Sequence, residues 1–271
     1  MNSLNSVKKQ LWKGDYCRGK TLLFKTEKLL DFEIVNAQVE QLVVNALENN
    51  DITVINTINP HSYIESKKDA YFRDSLKMSD FLIPDGSGIC LAIRLINGVN
   101  LKKIAGFDLF IAVMTELNLR NGSVYFLGSS DYVLNKIQNN IKNDFPMVSV
   151  KTLSPPYATK FSEIEITTFV NDINNFCPDV VFIGLTAPKQ EKLIHAIKKQ
   201  INTKLISGIG AVFDFYAGTV RRPSPLWIKL HLEWLIRLLG EPKRLWQRNF
   251  ISTPLFLLDV LRARLVKSTN K

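Results

Sequence analysis

A single carboxylate in a tight, glycine-rich turn is the first candidate for chemistry in this sequence. Asp85 stands in the segment Pro-Asp-Gly-Ser-Gly at 84–88, between the largely apolar runs 80–83 and 89–93. The first run predicts a buried strand and the second a helix, so Asp85 falls at the carboxyl end of a strand, where open α/β sheets bind ligands. There it could take a proton from an acceptor hydroxyl. The alternative is that Asp85 only caps the helix, since Asp is a preferred N-cap residue.

The signatures of the common cofactor and metal sites are missing from the sequence. Leu91 and Phe213 stand where the dinucleotide fingerprint needs a third small residue, and neither a GxxxxGK[ST] loop nor a GxSxG elbow occurs. His61, His195 and His231 are isolated, without the spacing of metal ligands. No Asp-x-Asp pair is present to hold a metal on a diphosphate. We therefore predict no metal, no cofactor, and a transfer reaction in which Arg or Lys stabilises a departing diphosphate.

Composition describes a globular chain that is long enough for one large domain or two small ones. The chain has 271 residues, 46% of them hydrophobic, and its three scattered cysteines form no CxxC pair. This cysteine usage fits a reduced, cytosolic compartment. No apolar run approaches the roughly 18 to 20 residues of a membrane-spanning helix, and the basic amino terminus lacks the apolar region of a signal peptide.

Positive charge is concentrated near the carboxyl terminus. Of the net charge of +10, residues 221–271 carry eleven Lys or Arg against three Asp or Glu, a net +8. Trp227, Trp234 and Trp246 lie in the same segment. Such a basic, aromatic tail predicts an anionic partner, either nucleic acid or a membrane surface. The many leucines and isoleucines of the tail favour the membrane, because surfaces that bind nucleic acid are strongly polar and charged.

Short apolar strands alternate with amphipathic helices along most of the chain. We predict strands at 29–35, 52–57, 80–83, 123–127, 148–153, 179–183 and 204–207. This order indicates an α/β fold with a doubly wound, mostly parallel, Rossmann-like sheet and helices on both faces. Polar or glycine-rich turns follow four of the strands, at 57–59, 85–86, 128–129 and 184–190. Those turns should meet at one edge of the sheet.

Three segments make up the predicted domain organisation. Residues 1–28 form a basic arm, 29–218 an α/β domain, and 219–271 a basic, amphipathic, helical appendage. The sheet is complete before residue 219, so we expect the α/β domain to fold without the appendage. The predicted helices of the appendage are too short and too charged to span a bilayer, but they mix aromatics, leucines and cations as interfacial helices do. We therefore predict that the appendage docks on an anionic membrane surface.

Six short motifs occur in a fixed order. They are Thr-Ile-Asn at 57–59, Pro-Asp-Gly-Ser-Gly at 84–88, Gly-Phe-Asp at 106–108, Gly-Leu-Thr-Ala-Pro-Lys-Gln-Glu at 184–191, Gly-Ala-Val-Phe-Asp-Phe at 210–215 and Leu-Glu-Trp-Leu-Ile-Arg-Leu at 232–238. With these motifs the chain resembles the WecG/TagA/CpsF family of bacterial glycosyltransferases over roughly residues 29–250. Each motif alone is weak, but six of them in this order are specific.

The resemblance implies an enzyme of bacterial surface-polysaccharide synthesis, with residues 29–218 as its catalytic domain. It implies transfer of an N-acetylmannosamine-type sugar from a UDP donor to GlcNAc linked to undecaprenyl diphosphate, a polyprenyl-diphosphate acceptor. The linkage would form with inversion and without a metal. The protein would be cytoplasmic and peripheral on the inner face of the plasma membrane. Its partners would be the UDP-sugar, the lipid-linked acceptor and the anionic membrane surface, not nucleic acid, and a homo-oligomer is left open.

The resemblance also implies roles for nine residues. Asp85 matches the proposed base of the family, and Arg237 and Arg244 match tail positions that are thought to reach the active site. The implied substrate-binding residues are Thr57, Asn59, Lys103, Tyr157, Gln190 and Asp214. Thr57 and Asn59 would lie near the sugar and diphosphate. Tyr157 would cover the uracil ring, and Asp214 would contact the uracil. Lys103 replaces the usual arginine, which keeps the charge but loses the bidentate geometry.

Structural explanations stay open for several of these positions. Asn59 could act only as an N-cap, Gln190 could be a solvated first-turn residue, and Asp214 could face solvent on a strand, since it alternates with apolar neighbours. We assign Glu191 a structural role. Arg237 also fits an ordinary stripe of charged residues at ion-pair spacing on a helix. For the whole protein, the alternatives are a nucleic-acid-binding protein and a nucleotide-binding protein without turnover.

Overall fold

The protein is built around one six-stranded sheet. The computed structural model describes residues 24–220, Trp227, 233–240 and 242–269. The strands are β1 (Lys25–Leu29), β2 (Phe32–Asn36), β3 (Thr53–Ile58), β4 (Phe81–Pro84), β5 (Ser123–Gly128), β6 (Ser149–Leu153), β7 (Val180–Gly184) and β8 (Leu205–Gly208). β1 and β2 form an antiparallel hairpin, and the other six strands form a sheet in the order β4-β3-β8-β7-β5-β6. All neighbouring strands of that sheet are parallel.

Helices connect the strands and cover both faces of the sheet. They are α1 (Val39–Glu48), α2 (Pro60–Lys68), α3 (Ala70–Lys77), α4 (Ser87–Asn97), α5 (Gly106–Arg120), α6 (Asp131–Asp144), α7 (Glu163–Phe176), α8 (Lys189–Ile197), α9 (Val212–Ala217), α10 (Glu233–Gly240), α11 (Pro242–Gln247) and α12 (Thr253–Thr269). A π-helical turn at Arg248–Ser252 joins α11 to α12. The predicted doubly wound α/β fold with a helical carboxyl-terminal appendage is therefore confirmed.

Alternation of side chains along the strands divides the core into two layers. Phe126 and Phe182 belong to one apolar layer, whereas Leu127 and Ile183, one residue further on, belong to the other. All four side chains are fully buried, as expected for parallel strands that helices cover on both faces. This burial explains why the strands are unbroken apolar runs in the sequence.

The directions in which the chain leaves its strands create a switch point in the sheet. β5 leads through α6 to β6 on one side, while β7 leads through α8 to β8 on the other. In open α/β sheets, ligands bind outside the carboxyl ends of the strands at such a point. The fold therefore predicts a binding site beyond the carboxyl ends of β5 and β7.

Two local features differ from the sequence prediction. The strand expected at 29–35 is instead the hairpin of β1 and β2, with Leu30 at φ 56° in its turn. β1 consequently begins inside residues 1–28, the segment predicted to be a basic arm. The sequence predicts one helical stretch from residue 59 towards residue 78, whereas the structure divides it at Asp69, whose side chain caps α3. The division follows from the preference of Asp for the N-cap position.

The last helix of the appendage is part of the protein core. Phe256 and Val260 of α12 are fully buried in an apolar cluster with side chains from the β1–β2 hairpin, β3, β4 and α2–α4. The ring of Tyr63 lies 5.3 Å from that of Phe256, and its hydroxyl donates to Asp259 at 3.3 Å. The expectation that the α/β domain folds without the appendage is therefore not favoured, because removal of α12 would expose this cluster to water.

Large apolar side chains are exposed along the appendage. They include Trp227, Trp234, Trp246, Phe250, Leu255, Leu258, Leu261 and Leu265. Helical spacing places Leu258, Leu261 and Leu265 on the face of α12 opposite the buried Phe256 and Val260. No helix in the described ranges is long and apolar enough to cross a membrane.

Candidate active site

A large cleft lies at the carboxyl edge of the six-stranded sheet. Its volume is about 1520 Å³, and segments that follow all six strands line it. Pockets for a single small molecule usually measure about 300–1,000 Å³, so this cleft has room for two substrates. It lies at the edge where the sequence predicts the polar turns to meet.

Most of the predicted site residues line this cleft. They are Thr57, Asn59, Asp85, Tyr157, Gln190 and Asp214. Lys103 is half-buried and is not part of the lining. Arg237 falls on α10 and Arg244 on α11, and their side chains lie outside the described part of the structure. The α/β domain thus brings six of the predicted residues together, and the contribution of the two arginines stays a prediction.

Asp85 follows β4 directly and is held by the backbone of the neighbouring strand. Its N–H donates to the carbonyl of Ile58, at the end of β3, at 2.9 Å. The next residue, Gly86, has φ 94°, a conformation that favours glycine. Gly86 also occupies the N-cap position of α4. The structure therefore does not place Asp85 at the helix cap, and its half-buried side chain lines the cleft.

Asn59 caps α2 and lines the cleft as well. Its Oδ1 accepts hydrogen bonds from the backbone N–H groups of His61 and Ser62, at 3.1 and 3.0 Å. The predicted N-cap is thus confirmed, and the residue lies at the cleft in addition. Because Oδ1 serves the helix, the amino group Nδ2 is the part of the side chain suited to a ligand, and it can only donate. Thr57, two residues earlier, lies in register with Ile83 of β4, next to the Asp85 turn.

The loop that carries Lys103 lies against the turn that carries Asp85. The backbone N–H of Ile104 donates to the carbonyl of Pro84 at 3.0 Å. Cys90, in the first turn of α4, is influenced by the charges of Lys103 and Asp85. Burial raises the pKa of its thiol, the positive charge of Lys103 opposes this rise, and the negative charge of Asp85 adds to it. Lys103 is therefore a neighbour of the site and not part of the cleft wall.

A buried polar pair at the start of α8 forms part of the cleft floor. Gln190 is 5% exposed, so the alternative of a solvated residue is wrong. Its Nε2 donates to Oε1 of Glu191 at 2.9 Å. Glu191 is 3% exposed and also lines the cleft, although the sequence indicated only a structural role. Burial raises the pKa of Glu191 to about 7.

Two glycines make room for this pair, Gly208 at the end of β8 and Gly210 two residues later. A Cβ at Gly208 would lie 2.9 Å from Cδ of Gln190, closer than carbon atoms approach each other. Gly210 has φ 44°, and a Cβ there would lie 3.3 Å from Oε1 of Gln190. Side chains at these two positions would displace Gln190 from the floor. The Gly-Ile-Gly sequence is thus explained by close packing and not by a dinucleotide fingerprint.

Asp214 lies in the first turn of α9 and not on a strand. The alternative in which it faces solvent from a strand is therefore wrong. Asp214 is half-buried, and its Oδ1 accepts a hydrogen bond from Oγ1 of Thr219 at 3.3 Å. Tyr157 stands on the loop after β6 with its side chain fully exposed at the cleft.

Lys189 holds the loop on which Tyr157 stands. Its Nζ lies 3.7 Å from the centroid of the Phe161 ring and donates to the carbonyl of Ala158. Burial lowers the pKa of Lys189. This role of Lys189 was not predicted from the sequence, although the residue stands beside Gln190 in the fourth motif.

Arg248 is another cation of the cleft that was not predicted from the sequence. It begins the π-helical turn of the appendage and lines the cleft. Ser252, in the same turn, has its Oγ 2.9 Å from Nδ1 of His61 at the start of α2, which ties the turn to the α/β domain. Burial and the charge of Arg248 lower the pKa of His61. The position of Arg248 four residues after Arg244, one helical turn further on, is a signal that could have indicated it.

Within the described ranges, no group of three or more His, Cys, Asp or Glu side chains is placed to hold a metal ion. The cleft contains amide and hydroxyl side chains, the carboxylates of Asp85, Glu191 and Asp214, and the cations Lys160, Lys189, Lys192 and Arg248. Such a set can accept a proton, position a sugar and neutralise a phosphate.

Comparison with known proteins identifies the group to which this site belongs. A model of the glycosyl transferase WecG/TagA/CpsF family matches residues 27–270. A protein of Bacillus spizizenii is 31% identical over 224 residues, which cover 83% of this chain and 84% of that protein. A protein of Bacillus subtilis is 30% identical over 250 residues, covering 90% and 94%, and one of Staphylococcus aureus is 24% identical over 241 residues, covering 87% and 92%. All three are named N-acetylglucosaminyldiphosphoundecaprenol N-acetyl-beta-D-mannosaminyltransferase. The chain belongs to the WecG/TagA/CpsF family of glycosyltransferases.

Proposed function

We propose that this glycosyltransferase moves an N-acetylmannosamine-type sugar from a UDP donor to a hydroxyl of GlcNAc on undecaprenyl diphosphate, with inversion and without a metal. The observation that carries the proposal is the position of Asp85 in a cleft large enough for two substrates, which Thr57, Asn59, Gln190 and Asp214 also line. The names of the relatives support the sugar and the lipid-linked acceptor.

In the proposed reaction, Asp85 acts as the base. Its carboxylate takes the proton of the acceptor hydroxyl as the oxygen forms a bond to the anomeric carbon of the sugar. The bond between that carbon and the diphosphate oxygen breaks, and UDP leaves with the bonding electron pair. Because the acceptor attacks from the side opposite the leaving group, the configuration of the anomeric carbon inverts.

Side chains around Asp85 would bind the donor. Asn59 can donate through Nδ2 to a sugar or phosphate oxygen, and Thr57 stands beside the Asp85 turn. We assign the uracil to the other end of the cleft, where Asp214 would accept its N–H group and Tyr157 would cover the ring.

Cations would stabilise the departing diphosphate in place of a metal ion. Arg248 lines the cleft from the appendage. Leu245, which follows Arg244 on α11, is buried and lines the cleft too, so α11 reaches the site. We propose that Arg237 and Arg244 join Arg248 in charge-assisted hydrogen bonds to the diphosphate.

The appendage would bring the enzyme to its lipid-linked acceptor. Its exposed tryptophans and the leucine face of α12 suit the interface of a bilayer, and its net charge of +8 would be attracted to anionic lipid. We therefore propose peripheral binding at the inner face of the plasma membrane, with the cleft close to the headgroups.

A transfer assay with the purified full-length chain tests the proposal. UDP-N-acetylmannosamine, its uronic acid and UDP-GlcNAc are each offered with a short-chain lipid diphosphate that carries GlcNAc, with and without excess EDTA. We expect transfer of the N-acetylmannosamine-type sugar at an unchanged rate in EDTA, because lysine and arginine can neutralise the diphosphate. Absence of transfer from every donor would contradict the function, and loss in EDTA that Mg²⁺ or Mn²⁺ restores would contradict metal independence.

A further inference from the structure

The buried pair Gln190 and Glu191 has more hydrogen-bonding capacity than the protein uses. Oε1 of Gln190 and Oε2 of Glu191 are both buried without a hydrogen-bond partner among the described residues. Each side chain is more than nine-tenths buried, and both line the cleft. Buried polar atoms of proteins are nearly always hydrogen-bonded, so an unpartnered oxygen at the floor of a cleft has the capacity to accept a hydrogen bond from a bound ligand.

The contact with Glu191 determines which end of the Gln190 amide meets the ligand. Nε2 donates to Oε1 of Glu191 at 2.9 Å. The opposite end of the amide, Oε1, lies on the side of Gly210, where a Cβ would be 3.3 Å from Oε1 and 4.0 Å from Nε2. If the amide turned over while Glu191 is ionised, its oxygen would face the carboxylate, and two acceptors would meet. Glu191 therefore holds Oε1 towards the part of the cleft that Gly210 lines.

We propose that Glu191 is a positioning residue, which orients the Gln190 amide so that the cleft floor accepts a hydrogen bond from a neutral N–H or O–H group of the donor sugar. This inference rests on the proposed function. A diphosphate that is fully ionised offers only acceptor oxygens, and these would be repelled by Oε1. The acetamido N–H and the hydroxyls of an N-acetylhexosamine are donors that fit.

The test separates the sugar from the rest of the nucleotide. Calorimetry measures the dissociation constants of UDP, a UDP-hexose and a UDP-N-acetylhexosamine for the full-length wild type. The same measurements follow for Gln190→Met, Glu191→Met and the double variant. Methionine has nearly the length of both side chains but lacks their hydrogen-bonding groups. Gln200→Met, at an exposed site just after α8, is the matched control.

Each single methionine variant is expected to bind UDP as tightly as the wild type does. It should bind the UDP-N-acetylhexosamine about 10-fold more weakly, because one hydrogen bond to a buried group is lost. The double variant should lose no more than Gln190→Met alone, because Glu191 acts through Gln190. A purely structural effect of Glu191 would instead add to that of Gln190. If the variants also bind the UDP-hexose more weakly, a sugar hydroxyl donates the hydrogen bond to Gln190. If they bind the UDP-hexose as the wild type does, the acetamido N–H donates it.

Several results would overturn the inference. One is a loss of affinity for UDP as large as the loss for the UDP-N-acetylhexosamine. The others are unchanged affinity of the single variants for the UDP-N-acetylhexosamine and additive effects in the double variant. Gln190→Asn serves if the methionine variants fail to fold, since it keeps a buried amide but withdraws Oε1 from the cleft, and it should lose the same sugar-dependent affinity. A wild type that does not bind UDP at all would refute the proposed function itself, and this inference with it.

Discussion

Replacement of Asp85 by asparagine should leave UDP binding intact and lower the rate of sugar transfer about 10²- to 10⁴-fold, the usual effect of removing a general base. The substitution keeps the size of the side chain and the backbone hydrogen bond from residue 85 to Ile58. It removes only the ability to take a proton. Steady-state transfer rates and calorimetry with UDP measure the two effects separately.

Asp51→Asn is the matched control for this experiment. Asp51 is exposed and precedes β3, at the edge of the sheet opposite the cleft. Its replacement removes the same charge from the protein and should change neither quantity. If Asp85→Asn transferred sugar at close to the wild-type rate, another group would have to be the base.

Alanine at Arg237 or Arg244 should lower transfer by about 10²-fold or more while binding to anionic vesicles persists. In the proposed reaction, each variant removes a hydrogen-bond donor from the departing diphosphate, and a single donor of this kind contributes about 10² to 10³ in rate. Membrane attraction depends on many charges, and either variant removes one of the eleven basic residues in 221–271. Transfer assays and vesicle sedimentation at low salt measure the two properties.

Arg262→Ala separates the local role of these arginines from the charge of the tail. Arg262 is exposed on α12 and lies 3.7 Å from Asp259, outside the cleft lining. Its loss should weaken vesicle binding slightly and leave transfer unchanged. Failure of the wild type to bind anionic vesicles at low salt would contradict the proposed membrane binding. Normal transfer by both alanine variants would contradict the proposed role of the two arginines.

The strand ends of the sheet could be predicted because their signals are local. A buried parallel strand is an unbroken apolar run, and a polar turn after it marks the ligand-binding edge. Asp85, Thr57 and Asn59 were located in this way, and the structure places all three in one cleft. For Asn59, the local signal also predicted the helix cap that the structure shows.

Features that depend on tertiary packing could not be predicted in the same way. Asp214 sits between two phenylalanines, so the short alternation suggested a strand, yet the segment is helical and Phe213 is buried. Polar residues such as Gln190 are usually exposed, and its burial here depends on the close approach of Gly208 and Gly210, which are distant in the sequence. The core position of Phe256 was equally hidden, because the sheet looked complete before α12.

The configuration of the transferred sugar tests most directly the central claim, a single displacement with Asp85 as the base. The product is made from a UDP-sugar of α configuration by the full-length enzyme, and the one-bond carbon–hydrogen coupling at its anomeric carbon is measured by NMR. The account predicts a β linkage, because a hydroxyl that Asp85 deprotonates attacks from the side opposite UDP. An α linkage would contradict it, since retention requires either a covalent sugar–enzyme intermediate or attack from the side of the leaving group.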